Sequence, residues 1–189
     1  MRVGVLMKKK IKVFVACVIL ISIIIQIIYV NKHARIPDIN IIKAGDELIY
    51  EGCKYTVIES VIYGFEDYND KFFNGELTDK RTNSDCKVIL VTVKLEIDDE
   101  INIFSPDIYI EYGHIANEFD VFNFKDLNDN LIKGEFHSGD TILLPYEIYK
   151  ENMTVEMWND VMNLSYRLVL GTYPIKNCMD IGELREGYK

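Results

Sequence analysis

The chain has 189 residues, 30 of them acidic and 21 basic, and a formal net charge of −9. All five charged side chains among the first 12 residues are basic, so the remainder is more acidic than the total suggests, which argues against nucleic acid or an anionic lipid surface as its partner. No repeat or low-complexity tract appears, and the roughly 160 residues after the first apolar run suffice for one domain with its own core.

Residues 1–12 form a short tail carrying Arg2, Lys8, Lys9, Lys10 and Lys12. Residues 13–30 then hold no formal charge, and Ile, Val and Leu cover every face, with Ser22 and Gln26 as the polar interruptions. At about 1.5 Å per residue this run makes roughly 27 Å of helix, close to the ~30 Å hydrocarbon core of a bilayer, and it predicts one transmembrane helix in contact with lipid. The run is longer than the apolar part of a cleaved signal peptide, and residues 27–31 offer no small-x-small cleavage site. Lipidation at Cys17 is disfavoured by the Phe14-Val15-Ala16 lead-in and by the length of apolar chain beyond it. Basic residues crowd the near side, whereas only Lys32 and Arg35 follow directly, so the N-terminus is expected in the cytoplasm and the rest outside the cell membrane, as a single-pass signal-anchor.

Residues 31–43 are expected to be a tether that Pro37 keeps from continuing the helix, although Ile39, Ile41 and Ile42 could already form a strand. The extracytoplasmic domain is set at 44–189. There Gly45-Asp46 marks a turn, and 47–50 and 55–63, rich in β-branched and aromatic residues, flank Glu51-Gly52 as a hairpin. The strongest strand is 87–97, where Ile89, Val91, Val93, Leu95 and Ile97 share one face and Thr92, Lys94 and Glu96 the other, a pattern with one buried and one wet face. Further strands are predicted at 107–112, 118–124, 141–149 and 164–173, with 113–117 as a loop and 154–162 as a helical turn capped by Thr154. In that turn Trp158 is expected to plug one end of the core. Short strands at near-regular spacing predict an all-β fold, an immunoglobulin-like antiparallel β-sandwich after one transmembrane helix, although the Cys-Trp-Cys signature of immunoglobulins is absent.

Residues 64–85 are long for a connection. Phe65, Tyr68, Phe72 and Phe73, interleaved with acidic residues, form the candidate binding set, and two readings stand: an aromatic contact surface, or rings that cover the open end of the sandwich.

The Ala44-Gly45-Asp46 turn before a hairpin, the 88–97 strand running into Asp98-Asp99-Glu100, and Ser138-Gly139-Asp140-Thr141 before Ile142-Leu143-Leu144-Pro145-Tyr146 resemble a group of uncharacterised membrane-anchored immunoglobulin-like domains of Gram-positive bacteria. The resemblance spans about residues 43–176 and implies the fold and the envelope location, with no catalytic residues to transfer.

No residue set specifies chemistry. Residues 126–130 begin like a calcium loop, but Leu131 stands where glycine is needed and His137 where a bidentate glutamate belongs. The acidic clusters Asp98-Asp99-Glu100 and Glu66, Asp67, Asp70 could hold a cation weakly or be solvated turns. His114 and His137 lie outside any nucleophile motif, so no enzyme activity, cofactor or metal is expected. Cys53, Cys86 and Cys178 lie beyond the span in odd number, and Cys53 and Cys86 could pair. The expected function is a membrane-tethered module that binds another envelope protein; the alternative is a small-ligand or calcium-sensing domain.

Overall fold

The computed structural model describes residues 3–33, 37–77, 81–97, 108–128, 137–172 and 174–188. Two compact units result, Met1–Ile36 and Pro37–Lys189. The first is helix α1 (Val3–His33). Its stretch Phe14–Lys32 has a mean hydropathy of 2.5 and no buried residue.

In the second unit the order is β1 (Asp38–Ile42), β2 (Glu47–Tyr50), β3 (Cys53–Gly64), α2 (Phe65–Phe73), β4 (Cys86–Ile97), β5 (Tyr109–Tyr112), β6 (Ile115–Glu118), α3 (Val121–Leu127), β7 (Thr141–Tyr149), α4 (Val155–Asn159), β8 (Tyr166–Gly171), β9 (Ile175–Asp180) and β10 (Arg185–Glu186). One sheet runs β1-β9-β8-β5-β6; the other runs β10-β3-β4-β7 with β2 also on β3. Their facing side chains, Tyr55, Val57, Val91, Val93 and Leu144 from one sheet and Ile110, Tyr112, Leu168 and Met179 from the other, share one core, as in a β-sandwich. The pairing is not wholly antiparallel as expected: β1 lies parallel to β9, and β10 parallel to β3. Both parallel pairs join distant parts of the chain, which no tight hairpin constrains.

The expected hairpin forms, with Tyr50 opposite Cys53 and Glu51 and Gly52 at φ of 50° and 78°, the two left-handed residues that a two-residue turn needs. A bulge then interrupts β3, since Val57 pairs with Val93 but Glu59 with Thr92. The extra residue, Ile58, is exposed, and it reverses the alternation: Cys53, Tyr55 and Val57 face the core before it, Ser60 and Ile62 after it. Ser60 is accommodated by donating to the Ile181 carbonyl at 3.0 Å.

Strand β4 places Ile89, Val91, Val93 and Leu95 in the main core as its alternation predicts. Its other face is not wet throughout: Cys86, Val88 and Leu90 are buried with Tyr63, Phe65 and Tyr68 in a second cluster. The cover is α2, where a long connection was expected. The strand expected at 118–124 is also corrected. Asp120 Oδ1 accepts from the Phe122 and Asn123 amides at 2.8 and 3.0 Å and starts α3 instead. Within the expected loop 113–117, residues from Ile115 onward belong to β6, and the span proposed as a tether contains the end of α1 and β1. Thr154 caps α4 through the Met157 amide. Trp158 is half-buried beneath Lys87, while Met153, Met157, Met162 and Leu164 close that side of the core.

Strand β7 ends its sheet and carries Pro145, as an edge strand can. Its outer backbone is nevertheless occupied. Asn117 Nδ2 donates to the Glu147 carbonyl at 2.7 Å, the Asp120 amide donates to the Pro145 carbonyl at 3.0 Å, and the Asn128 side chain bonds both the N–H and the C=O of Leu143 at 2.9 Å. The free edge is thereby covered.

Candidate functional site

Helix α2 begins after Gly64, which has no side chain to cap it. Asn83 supplies the cap from across the connection: its Oδ1 accepts from the Glu66 amide at 2.7 Å, and its Nδ2 donates to Asp67 at 3.1 Å. A Cβ on Gly64 would lie 2.3 Å from that Oδ1, so glycine is required by the close approach. Asn74, at φ of 52°, and Gly75 end the helix.

The four expected binding residues are brought together, largely turned inward. Phe65 and Tyr68 are 1% and 0% exposed. Tyr68 stacks at 5.3 Å from Phe72 and 5.5 Å from Phe73, both half-buried, and Phe72 meets Tyr63 edge-on at 5.5 Å. Only parts of the Phe72 and Phe73 rings reach the surface beside exposed Glu66, Asp70 and Lys71. Burial, with the carboxylates of Asp120, Glu147 and Asp126 adding to it, pushes the Tyr68 phenol well above its ordinary range, and its hydroxyl is buried with no hydrogen-bond partner among the described residues.

Beside this cluster lies a charged centre that sequence reasoning missed. Arg81 donates to the Glu147 carboxylate through Nη1 and to Tyr149 Oη at 2.5 Å, and Tyr149 in turn donates to Glu147 Oε2. The guanidinium sits over the Phe65 ring at 4.5 Å and the Tyr149 ring at 5.3 Å, with Cys86 Sγ 3.9 Å away. Glu147 is 8% exposed, so Arg81 and Tyr149 balance a charge largely withdrawn from water. Burial first, and then donation to Glu147, raises the Tyr149 phenol well above its usual range, against the opposing pull of Arg81. No local signal could have found this centre, since its arginine and glutamate are 66 residues apart and Glu147 stands on the outer face of a strand whose inner face is apolar.

Glu147 and Tyr149 also line an open groove of about 480 Å³ with Asn117, Glu118, Phe119 and Asp120. Glu147 Oε1 is buried and makes no hydrogen bond among the described residues. The groove wall is thus acidic and partly aromatic, suited to a cationic group. No group of three or more His, Cys, Asp or Glu placed to hold an ion occurs among the described residues.

The other candidates disperse. His114 and His137 are exposed, and Ser138 Oγ accepts from the Ile97 amide at 3.2 Å in a turn. Glu66 and Asp67 are engaged with Asn83. Asn128 of the calcium-like run is buried against the backbone. Residues 98–100 and 129–131 lie outside the described residues. The Cys53–Cys86 pairing left open by the sequence is excluded by register: Cys53 pairs opposite Ile97, at the far end of β4 from Cys86, about 36 Å away at the rise of a strand. Cys53, Cys86 and Cys178 are all free and buried. Compared with protein families, curated proteins and solved structures, the chain matches none.

Proposed function

We propose that the chain is a single-pass membrane protein whose β domain stands outside the cytoplasm and binds another envelope protein, without catalysis. The observation that carries this reading is the stretch Phe14–Lys32, apolar and unburied along its whole length, which no core in its own unit covers. The basic tail before it and the absence there of acidic residues support an inward N-terminus. A reporter fused after residue 188 tests the topology: alkaline phosphatase fused there is expected to be active and a cytoplasmic fluorescent reporter dark, and the reverse would refute it.

The proposed contact surface is the outer side of α2, where Phe72 and Phe73 emerge among Glu66, Asp70 and Lys71. Cross-linking in intact cells followed by purification of the tagged chain is expected to bring down a protein partner that Phe72→Asp releases. Retention of every partner by that variant would clear α2 of the role. The resemblance to Gram-positive envelope domains is part of the same proposal and finds support in the two-sheet arrangement. Within this proposal the likeness to immunoglobulins rests on the two-layer arrangement; the strand orders β1-β9-β8-β5-β6 and β10-β3-β4-β7 do not reproduce their A-B-E-D and C-F-G sheets.

A second reading, a small-cation or calcium sensor, is favoured by one observation: the groove brings the carboxylates of Glu118, Asp120 and Glu147 to one lining. Calorimetric titration with calcium and with a primary alkylamine tests it. Absence of heat and of a melting shift with both would remove it.

A further inference from the structure

Two polar side chains interrupt the apolar stretch of α1, Ser22 and Gln26, one helical turn apart and therefore on one face. Ser22 is satisfied within the helix, its Oγ donating to the Val18 carbonyl at 2.9 Å. Gln26 carries two amide donors and a carbonyl acceptor, is exposed, and has Ser22, Ile23, Tyr29 and Val30 as its neighbours at one-turn spacing. It lies about 18 Å along the helix from Phe14 and about 9 Å from Lys32, which places it in hydrocarbon when the helix spans a bilayer. Lipid offers an amide nothing to bond.

The stripe around these residues has a regular spacing. Val15, Ile19, Ser22, Gln26 and Tyr29 follow one another at intervals of four, three, four and three, the seam of a heptad with Ile19 and Gln26 in equivalent positions. Cys17, Ile21, Ile24 and Ile28 point the opposite way.

We propose that α1 pairs within the membrane with α1 of a second copy of this chain along that stripe, the two Gln26 amides bonding each other. The occupant follows from the chemistry. An amide is its own complement, donating and accepting, and a second copy inserted with the same topology presents Gln26 at the same depth. Any other helix would have to carry a polar group at that level; a copy does so by construction. Single polar residues at seam positions fix register in paired helices in the same way. This inference rests on the reading of α1 as a membrane span.

The test uses the full chain in its own membranes, with Cys17→Ser as background and the buried domain cysteines left in place. Single cysteines are introduced by Ile19→Cys, Ser22→Cys, Ile21→Cys and Ile24→Cys and oxidised with copper phenanthroline. Ile19→Cys and Ser22→Cys are expected to give disulfide-linked dimer, Ile21→Cys and Ile24→Cys little, and the unaltered Cys17 chain none. Adding Gln26→Leu to Ile19→Cys is expected to reduce the dimer about fivefold, the factor one interhelical hydrogen bond supplies, while Gln26→Asn retains it. Equal cross-linking around the helix, or an undiminished dimer with Gln26→Leu, overturns the proposal. Washing the membranes first with alkaline carbonate separates the two readings: released protein defeats the span and the pairing together, whereas retained protein without a preferred face defeats the pairing alone.

Discussion

Replacing Arg81 with methionine removes the positive charge that balances Glu147 while keeping an unbranched stem over Phe65 and Tyr149. The arginine side chain is 23% exposed and the glutamate 9%. Taking one partner from a buried ion pair typically costs ~3–5 kcal/mol, because the remaining charge is left without compensation. Tyr149 still donates to the carboxylate, which places the cost near the lower bound, about 3 kcal/mol. In a domain of this size that is a fall of roughly 6–12 °C in melting temperature. Urea unfolding of residues 37–189, followed by far-ultraviolet circular dichroism, reads the change as a lower midpoint at constant slope. Adding Glu147→Leu removes the stranded charge, so the double variant should be more stable than Arg81→Met alone, recovering ~2 kcal/mol or more. A cost under ~1 kcal/mol for Arg81→Met, or a double variant whose losses simply add, would show that the pair is solvated and the reasoning wrong.

Asn128→Leu preserves side-chain volume at a position 4% exposed but deletes bonds to the Phe124 carbonyl and to the N–H and C=O of Leu143. The loss should be about 3 kcal/mol, read by thermal melting. Glu51→Asn should stabilise by ~1 kcal/mol, since Glu51 holds a φ of 50° in a turn that favours asparagine before glycine, and calorimetry would show a higher midpoint. Burial raises the phenols of Tyr55, Tyr146 and Tyr166, and pushes Tyr112 up to about 12. The folded chain therefore holds these protons where the unfolded chain has lost them. Stability should be flat below pH about 10 and then fall as pH rises, by up to ~1.4 kcal/mol per unit for each such tyrosine; absorbance at 295 nm would show their ionisation coinciding with unfolding.

The strands with a clean period of two were legible: β4 and β8 appear within the spans where their alternation places them, because one face of each must enter the core. Helix α2 was not anticipated, although Phe65, Tyr68 and Phe72 recur at helical spacing and Asn74-Gly75 is a stop signal. Its start could not be read locally, since the cap comes from Asn83 in another segment. The bulge at Ile58 likewise has no sequence mark, yet it decides which residues of the second half of β3 face the core. Of the aromatic set, the clustering was legible and burial was one of two open readings; that the rings cover the outer face of β4 rather than the open end of the sandwich becomes visible only once the strand register is known. Arg81 and Glu147 meet through tertiary structure alone, which charge patterning along the chain does not report.

The last strands of the chain hold its first ones, with β9 beside β1 and β10 on β3. Because a chain is made from its N-terminus onward, β1 and β3 exist well before those partners do. Neither sheet can be completed until β9 and β10 have been made, so final closure is a long-range event and a slow one. Until then the edges of β1 and β3 stand open to other chains. A product shortened by the residues from Ile175 onward would accordingly be no smaller version of the domain, but a chain in which β1 has no partner, β3 and β8 have unfilled edges, and neighbouring chains can join through them.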